Sequence, residues 1–216
     1  MFESQSASGC QIRSFAVGPL QCNCTILWDQ QSRDAILVDP GDEAEKIIRE
    51  IEKEKLRIRA IIHTHAHFDH IGASAKMRDH TKAPLLVHPG EKWLWDNVAT
   101  QGRMFGISTR EIGPWSEDLD HEKIIPCGSY SWKTIFTPGH TPGSCSFLLD
   151  NILIAGDTLF QNSIGRTDLW GGDFDTIKKS IQQRLYTLDD DTIVICGHGP
   201  NTAVGIEKRS NPFVTG

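Results

Sequence analysis

Three histidines and one aspartate stand within six residues of the chain, at His65, His67, Asp69 and His70. His65 and His67 are two residues apart, a spacing that puts side chains on one side of an extended segment, whereas a helix needs three or four. Neutral imidazoles and a carboxylate suit a borderline cation such as zinc. The segment therefore predicts a metal centre where an apolar strand ends. His63, just before it, is expected to have a structural or supporting role.

Three further candidate ligands follow apolar runs far along the chain, namely His140, Asp157 and His198. Each is flanked by glycine, which permits tight backbone turns. Taken singly, each histidine is equally well explained as a hydrogen-bonded loop residue, and the aspartate as a turn former. Together with the first four they make seven ligand side chains, enough for two metal ions that share one carboxylate.

The elements that must position these residues are short strands alternating with helices. The patterns predict strands over residues 25–28, 35–38, 58–62, 85–87, 130–137, 144–149, 152–155 and 192–196, and helices over residues 42–55, 71–80, 91–98 and 175–188. Residues 1–9 are predicted to be a loose tail, and residues 99–122 an irregular segment. The alternation, with its antiparallel hairpins, indicates one α/β domain over residues 1–216 with mixed sheets.

Aromatic and apolar residues in or beside the irregular segment are candidates for a wall over the metals. They are Trp95, Met104, Phe105 and Trp115. Peripheral packing explains the same residues equally well.

Composition and charge restrict the classes of function. The formal charge of −6 argues against general nucleic-acid binding, which is typical of basic surfaces. No apolar run approaches the roughly 20 residues that span a bilayer, and the N-terminus has no secretory pattern. We therefore expect a cytoplasmic protein without membrane or nucleic-acid partners. The six scattered cysteines, including Cys22 and Cys24, favour free buried thiols over disulfides.

The order of the seven candidate ligands resembles that of the metallo-β-lactamase superfamily over nearly the whole chain, from Gly18 onward. The resemblance implies a four-layer αββα sandwich of two mixed β-sheets, with the metals at one edge. It assigns His65, His67 and His140 to one metal, Asp69, His70 and His198 to the other, and Asp157 to both.

Residues 156–160 and 163–168 resemble glyoxalase II, the hydroxyacylglutathione hydrolases, and above all its short bacterial members. This resemblance implies two divalent ions, zinc first and iron or manganese as alternatives. It also implies that Arg166 binds a carboxylate of glutathione, for which its planar fork is suited, although a surface ion pair is an equal alternative. Two departures leave glutathione recognition open. The longer enzymes have a C-terminal helical extension beyond the position of Gly216, and an aromatic contact where Asp168 stands.

The expected reaction is hydrolysis of a small anionic thioester, with a glutathione conjugate such as S-lactoylglutathione as one candidate. A hydroxide bridging the two metals would be the nucleophile, and Asp69 would orient it or handle its proton. The main alternative is a persulfide dioxygenase, which the chain also resembles, with one iron on His65, His140 and Asp157. A di-zinc hydrolase of another ester, a lactone, a β-lactam or a phosphodiester is the other alternative.

Overall fold

Two large β-sheets form the centre of the computed structural model, which describes all 216 residues. In the first sheet seven strands lie in chain order: β1 (Phe2–Gln5), β2 (Gln11–Val17), β3 (Cys22–Trp28), β4 (Asp34–Val38), β5 (Arg57–Ile62), β6 (Leu85–Val87) and β7 (Glu117–Asp118). The second sheet has the order β15-β14-β11-β10-β9-β8. Its strands are β8 (Ile124–Cys127), β9 (Tyr130–Phe136), β10 (Cys145–Leu149), β11 (Ile152–Gly156), β14 (Ile193–Cys196) and β15 (Thr202–Ala203). A separate hairpin joins β12 (Leu159–Phe160) and β13 (Ser163–Ile164).

Seven α-helices flank the sheets: α1 (Ala44–Lys53), α2 (Phe68–Ile71), α3 (Ser74–Thr81), α4 (Lys92–Asp96), α5 (Val98–Met104), α6 (Phe174–Ser180) and α7 (Val204–Ser210). A 3₁₀ turn at Pro89–Glu91 leads into α4, and a π turn at Ile181–Leu185 continues α6. None of these helices has the length and apolar character needed to cross a membrane.

Both sheets are mixed. Each pair from β1/β2 to β3/β4 is antiparallel, whereas each pair from β4/β5 to β6/β7 is parallel. In the second sheet β11 and β14 are parallel, and β9 has the same direction because β10 runs antiparallel to both β9 and β11. The carboxyl ends of β9, β11 and β14 therefore lie on the same side of their sheet.

Three apolar clusters fill the three spaces between four layers. Side chains alternate across each strand, so Ile26 joins the cluster that contains Ile47 of α1, while Leu27 joins the cluster between the sheets with Phe147. The third cluster packs the outer face of the second sheet, including Val194, against Ile177 of α6. The layers are thus helix, sheet, sheet and helix. The predicted αββα sandwich of two mixed sheets is confirmed.

Hydrogen bonds join the two sheets at one edge. The Cys145 amide donates to the Thr64 carbonyl at 2.7 Å, and the Asn23 amide donates to the Gly197 carbonyl at 2.7 Å. The Asn23 side chain also donates to the carbonyl of Cys196 at 2.9 Å. This edge is the one at which the chain leaves β5, β9, β11 and β14.

Several predicted elements are corrected. Residues 1–9 are not a loose tail throughout, because Phe2–Gln5 pairs with β2 along the edge of the first sheet. Its side chains are alternately half-buried and exposed, so backbone pairing and not apolar burial holds it. Residues 99–122 contain most of α5 and all of β7. Helix α1 spans Ala44–Lys53, two residues shorter at each end than the predicted range of 42–55.

Candidate metal centre

Three imidazole nitrogens form a small triangle at the joined edge. His65 and His67 lie in the loop after β5, and His140 lies in the loop after β9. His65 Nε2 is 3.1 Å from His67 Nδ1, and His140 Nε2 is 3.2 and 2.9 Å from these two atoms. Ligands at about 2.0–2.1 Å from a tetrahedral zinc ion would be about 3.3 Å apart. The triangle is therefore close to the geometry of a three-histidine metal position.

A second donor group lies beside the first. His70 in α2 and His198 after β14 bring their Nε2 atoms to 3.1 Å from each other. Asp69 Oδ2 is 3.2 Å from His198 Nε2 and 3.8 Å from His70 Nε2. Two imidazoles and a carboxylate again make a donor set for a divalent cation.

Asp157, directly after β11, lies between the two groups. Its Oδ2 is 3.6 Å from His140 Nε2 and 3.6 Å from His198 Nε2, and its Oδ1 is 3.4 Å from His70 Nε2. Oδ1 is buried without a hydrogen-bond partner, which an ion at this place would supply. The structure thus brings all seven sequence-predicted ligands into one His/Asp cluster.

The ring nitrogens that face away from the cluster fix the direction of the imidazoles. His140 Nδ1 donates to the Arg166 carbonyl at 2.8 Å, and His198 Nδ1 donates to the Leu20 carbonyl at 3.0 Å. His70 Nδ1 lies 2.9 Å from the carboxylate of Asp39. With the proton held on Nδ1, the Nε2 lone pair of each ring is directed into the cluster, as metal binding requires.

His65 and His67 complete the set in different ways. His65 Nδ1 donates to the Thr64 hydroxyl at 3.0 Å, and that hydroxyl in turn donates to Asp39. His67 reverses the pattern, because Nδ1 faces the cluster and its buried Nε2 has no partner.

Burial favours the neutral rings that a metal needs in the three-histidine group, whereas neighbouring charges oppose it in the second group. It lowers the pKa of His65, His67 and His140, so these rings are neutral and their lone pairs are available. Burial alone would raise the pKa of the Asp69 carboxyl, but the neighbouring His70 and His198 lower it, so this group is ionised. Burial alone would also lower the pKa of His70 and His198, but neighbouring groups that include Asp157 and Asp69 raise it, so a cation bound at the second donor group would displace protons from these two rings.

Asp39 supports both donor groups and was not among the sequence-predicted site residues. It lies at the end of β4, 2 % exposed, and accepts hydrogen bonds from the Thr64 amide at 2.8 Å and the Thr64 hydroxyl at 2.6 Å. Its contact with His70 connects the second group to the same carboxylate. The available sequence signal was an acidic residue at a strand end before Pro40 and Gly41.

His63 does not face the cluster. Its Nε2 lies 2.8 Å from the Ser74 hydroxyl and its Nδ1 lies 3.1 Å from the Leu86 carbonyl. The ring packs edge-on against Trp95, and burial lowers its pKa to about 4. These contacts agree with the predicted structural role.

Arg166 lies at the rim of the first donor group. Its exposed guanidinium donates to both carboxylate oxygens of Asp168, at 2.7 and 2.8 Å, while its backbone carbonyl orients His140. The guanidinium is also near enough to help lower the pKa of His67, after burial and other charges. Its role in binding substrate stays a prediction.

The aromatic residues beside the cluster differ from the predicted wall. Trp95 is buried against His63 and Trp115, as peripheral packing requires. Trp170 instead lies with its ring centroid 6.2 Å from that of His67, and the exposed Trp93 lies beside it.

Two cavities open near the centre. One of about 320 Å³ is lined by Gly90, Trp93, Leu94, Pro142, Trp170 and Gly171. A larger one of about 720 Å³ is lined by residues that include Asp69, Phe68, Leu20 and Arg110. An apolar groove therefore lies beside His67, and a mixed groove reaches Asp69.

The αββα sandwich with a His/Asp cluster at its joined edge defines a class of metal-binding α/β protein. Residues 17–198 match the Metallo-beta-lactamase superfamily, and the chain belongs to this superfamily.

Two relatives extend the match to nearly full length. The probable metallo-hydrolase YqgX of Bacillus subtilis (strain 168) is 40% identical over 94% of this chain and 97% of its own. The hydroxyacylglutathione hydrolase GloC of Haemophilus influenzae is 36% identical over 94% of this chain and 97% of its own.

Two solved structures are similar across the same range. The crystal structure of BLEG-1 B3 metallo-beta-lactamase has a TM-score of 0.88 and 40% identity, and the match covers 95% of this chain and 100% of that one. The crystal structure of TTHA1623 in a di-iron-bound form has a TM-score of 0.84 and 34% identity, covering 92% and 98%. These similarities place the chain among metallo-hydrolases.

Proposed function

We propose that the protein is a binuclear metallohydrolase that cleaves thioesters of the hydroxyacylglutathione type. The observation that carries this proposal is the division of seven donors into two groups joined by Asp157. The relative from Haemophilus influenzae, described as a hydroxyacylglutathione hydrolase, supports the thioester as substrate. Zinc suits the donor set best, and the di-iron form of a similar structure supports iron as the alternative.

Two divalent cations bound here would acidify a water molecule and polarise the substrate carbonyl. Asp69 lines the 720 Å³ cavity, and its carboxylate would orient that water and accept its proton. No cysteine or serine nucleophile is required, and a leaving thiolate needs little protonation.

The surroundings of the centre support a substrate with both apolar and anionic parts. The groove between Trp93 and Trp170 offers an apolar surface directly beside His67. Arg166 at the rim offers a planar fork for a carboxylate once it exchanges its exposed partner Asp168. That exchange costs little, because an ion pair this exposed is screened by solvent.

A β-lactam is the second candidate substrate. The observation that favours it is the 40% identity with a structure described as a B3 metallo-beta-lactamase. The same donors would serve, since an amide carbonyl in a strained ring is attacked in the same way as a thioester carbonyl.

A substrate panel on enzyme of measured metal content tests the proposal. We expect two metal ions per chain and hydrolysis of S-D-lactoylglutathione that exceeds that of lactones and a chromogenic cephalosporin. Arg166→Gln should raise KM for the glutathione thioester and leave KM for a thioester without carboxylates unchanged. Faster turnover of the cephalosporin would favour the second candidate. One iron per chain with oxygen uptake on glutathione persulfide would overturn the hydrolase proposal.

A further inference from the structure

Glu91 is a buried carboxyl group for which the proposed reaction has no use. It is 0 % exposed and lies at the end of the 3₁₀ turn before α4, with no cationic side chain paired to it. Burial raises its pKa to about 7, although the Thr141 hydroxyl and two backbone amides act to lower it. Burying a carboxyl group costs stability unless its hydrogen bonds compensate for the lost hydration.

The two backbone amides that Glu91 accepts belong to the two loops of the three-histidine group. Oε2 accepts from the Ala66 amide at 2.6 Å, and Ala66 stands between His65 and His67. Oε1 accepts from the Gly143 amide at 2.6 Å, three residues after His140. One carboxylate therefore links the loops that supply all three imidazoles, in addition to the backbone bond from the Cys145 amide to the Thr64 carbonyl.

Close packing leaves the Gly143 loop little freedom to move around Glu91. A Cβ atom at Gly143 would lie 2.8 Å from the Glu91 amide nitrogen and 2.8 Å from its Cγ. The loop passes against both the backbone and the side chain of Glu91, so a shift of one would displace the other.

Gln101 of α5 holds the first loop from the other side. Its Nε2 donates to the Ala66 carbonyl at 3.1 Å, and its Oε1 accepts from the Phe68 amide at 3.2 Å. The amide and the carbonyl of Ala66 and the amide of Phe68 are thus all bonded to Glu91 or Gln101, in the segment that contains α4 and α5. Of these two side chains, it is Glu91 that also reaches the His140 loop.

We propose that Glu91 is a positioning residue for the three-histidine metal position, holding its two loops at metal-binding separation through the amides of Ala66 and Gly143. The inference rests on the proposed two-metal centre. Because none of the hydrogen bonds of Glu91 reaches Asp69, His70 or His198, its effect is confined to one of the two positions.

Glu91→Gln tests this inference with little change of volume. The glutamine side chain has a single oxygen acceptor. One of the two backbone N–H groups would therefore face the NH₂ group of glutamine, which is a donor, instead of a carboxylate oxygen. Titration of metal-free protein with Zn²⁺ should show one position at wild-type affinity and the other weakened about 10–100-fold, the range seen when outer partners of metal ligands are removed.

The His140→Ala background identifies the affected position. Because His140→Ala already removes the three-histidine site, adding Glu91→Gln should leave the remaining Zn²⁺ affinity unchanged. Glu207→Gln is the matched control, since Glu207 is also 0 % exposed and accepts from Thr202, Asn162 and Asn211, with no hydrogen bond to the loops of the three-histidine group. It should lower stability and leave both metal affinities as they are. Should Glu91→Gln fail to fold, Gly143→Ala presses on the same contact and should weaken the same position.

Wild-type Zn²⁺ affinity at both positions in Glu91→Gln would overturn the inference, as would equal weakening of both positions. In either case the wild type would still bind two ions, and the proposed function would stand. A wild-type protein that binds fewer than two ions would remove the proposed function and this inference together.

Discussion

At the scale of single residues, the centre depends on the two ring nitrogens of each histidine having different tasks. In His65, His70, His140 and His198 the Nδ1 atom is held by an oxygen, and Nε2 faces the cluster. This division fixes the tautomer and the ring plane before any metal arrives. Asp157 differs from the histidines, because its carboxylate approaches members of both donor groups.

That difference predicts distinct outcomes for two alanine substitutions. His140→Ala removes one donor from one group and should leave about one metal ion per chain. Asp157→Ala removes the shared carboxylate and should weaken both positions. Activity should fall by at least about 100-fold in each, more than the loss of an outer partner causes. Elemental analysis with thioester kinetics measures both effects, and Asp175→Ala, an exposed position on α6, is the control.

The types and spacing of the residues were sufficient to predict the seven donors, but not the groups that hold them. His-x-His-x-Asp-His is a local pattern, and the other three donors each follow an apolar run. Asp39 and Glu91 look ordinary in the sequence because their contacts lie far away. Asp39 binds Thr64 across 25 residues, and Glu91 binds Gly143 across 52.

At the scale of elements, strand ends deliver the donors, and glycine allows them to approach closely. A Cβ atom at Gly197, directly after β14, would lie 2.0 Å from Asp157 Oδ1. The segments around Gly197 and Asp157 cannot move apart easily, because the Gly197 amide also donates to the Gly156 carbonyl at 2.8 Å.

Gly197→Ala should therefore displace the Asp157 carboxylate and lower metal content without unfolding the protein. Gly199→Ala is a suitable control, since a Cβ atom there meets nothing within 4 Å. Its positive φ makes alanine cost about 1–2 kcal/mol of stability, but metal binding should be retained. Metal analysis and circular dichroism distinguish the two, and full metal content in Gly197→Ala would contradict the close-approach account.

Asp29 connects a turn of the first sheet to a turn of the second and bonds no residue of the His/Asp cluster. Its Oδ1 accepts from the amides of Gln31 and Ser32 after β3, and its Oδ2 accepts from the Ser129 amide and hydroxyl between β8 and β9. These hydrogen bonds lower the pKa of Asp29 to about 2, and the one from the Ser129 amide has the largest effect.

Asp29→Asn should destabilise the fold by about 1–3 kcal/mol at pH 7, because an amide accepts fewer of these bonds. The folded pKa lies below the unfolded value of about 4, so the wild-type advantage is complete above about pH 4 and is lost as the pH falls towards about 2. Urea unfolding of both proteins at pH 7, 4 and 3 measures the difference. A difference that does not change with pH would show that the charge of Asp29 is not the cause.

Elements with their own apolar signal were predicted correctly, and those held by neighbours were not. Strands β5, β6 and β14 are short apolar runs, and periodic apolar residues marked α1 and α6. Strand β1 is polar and exists because β2 offers it an edge, while β7 is two residues that complete the first sheet. Such elements depend on tertiary pairing, which no local window contains.

At the scale of the whole molecule, three apolar clusters of 26, 17 and 13 buried residues hold the four layers together. None of these clusters includes a candidate metal ligand, so their packing does not require a metal ion. The fold should therefore persist without metal, while the edge that joins the sheets should lose stability.

Removal of metal by a chelator should lower Tm and leave the secondary structure intact. A ligand at 100 times its Kd stabilises a protein by about 2.7 kcal/mol, and each kcal/mol shifts Tm by about 2–4 °C in a chain of this size. We expect a decrease of roughly 5–10 °C by calorimetry, reversed by added Zn²⁺. Complete unfolding on chelation would contradict the independence of the three clusters.

Anomalous diffraction from a zinc-loaded crystal, recorded on both sides of the zinc edge, would locate bound zinc ions relative to the seven donors. We predict two peaks about 3.5–4 Å apart. One should lie about 2.0–2.1 Å from the nearest nitrogens of His65, His67 and His140, the other should contact Asp69, His70 and His198, and Asp157 should reach both. A single peak, or peaks away from these seven side chains, would contradict a shared two-metal centre.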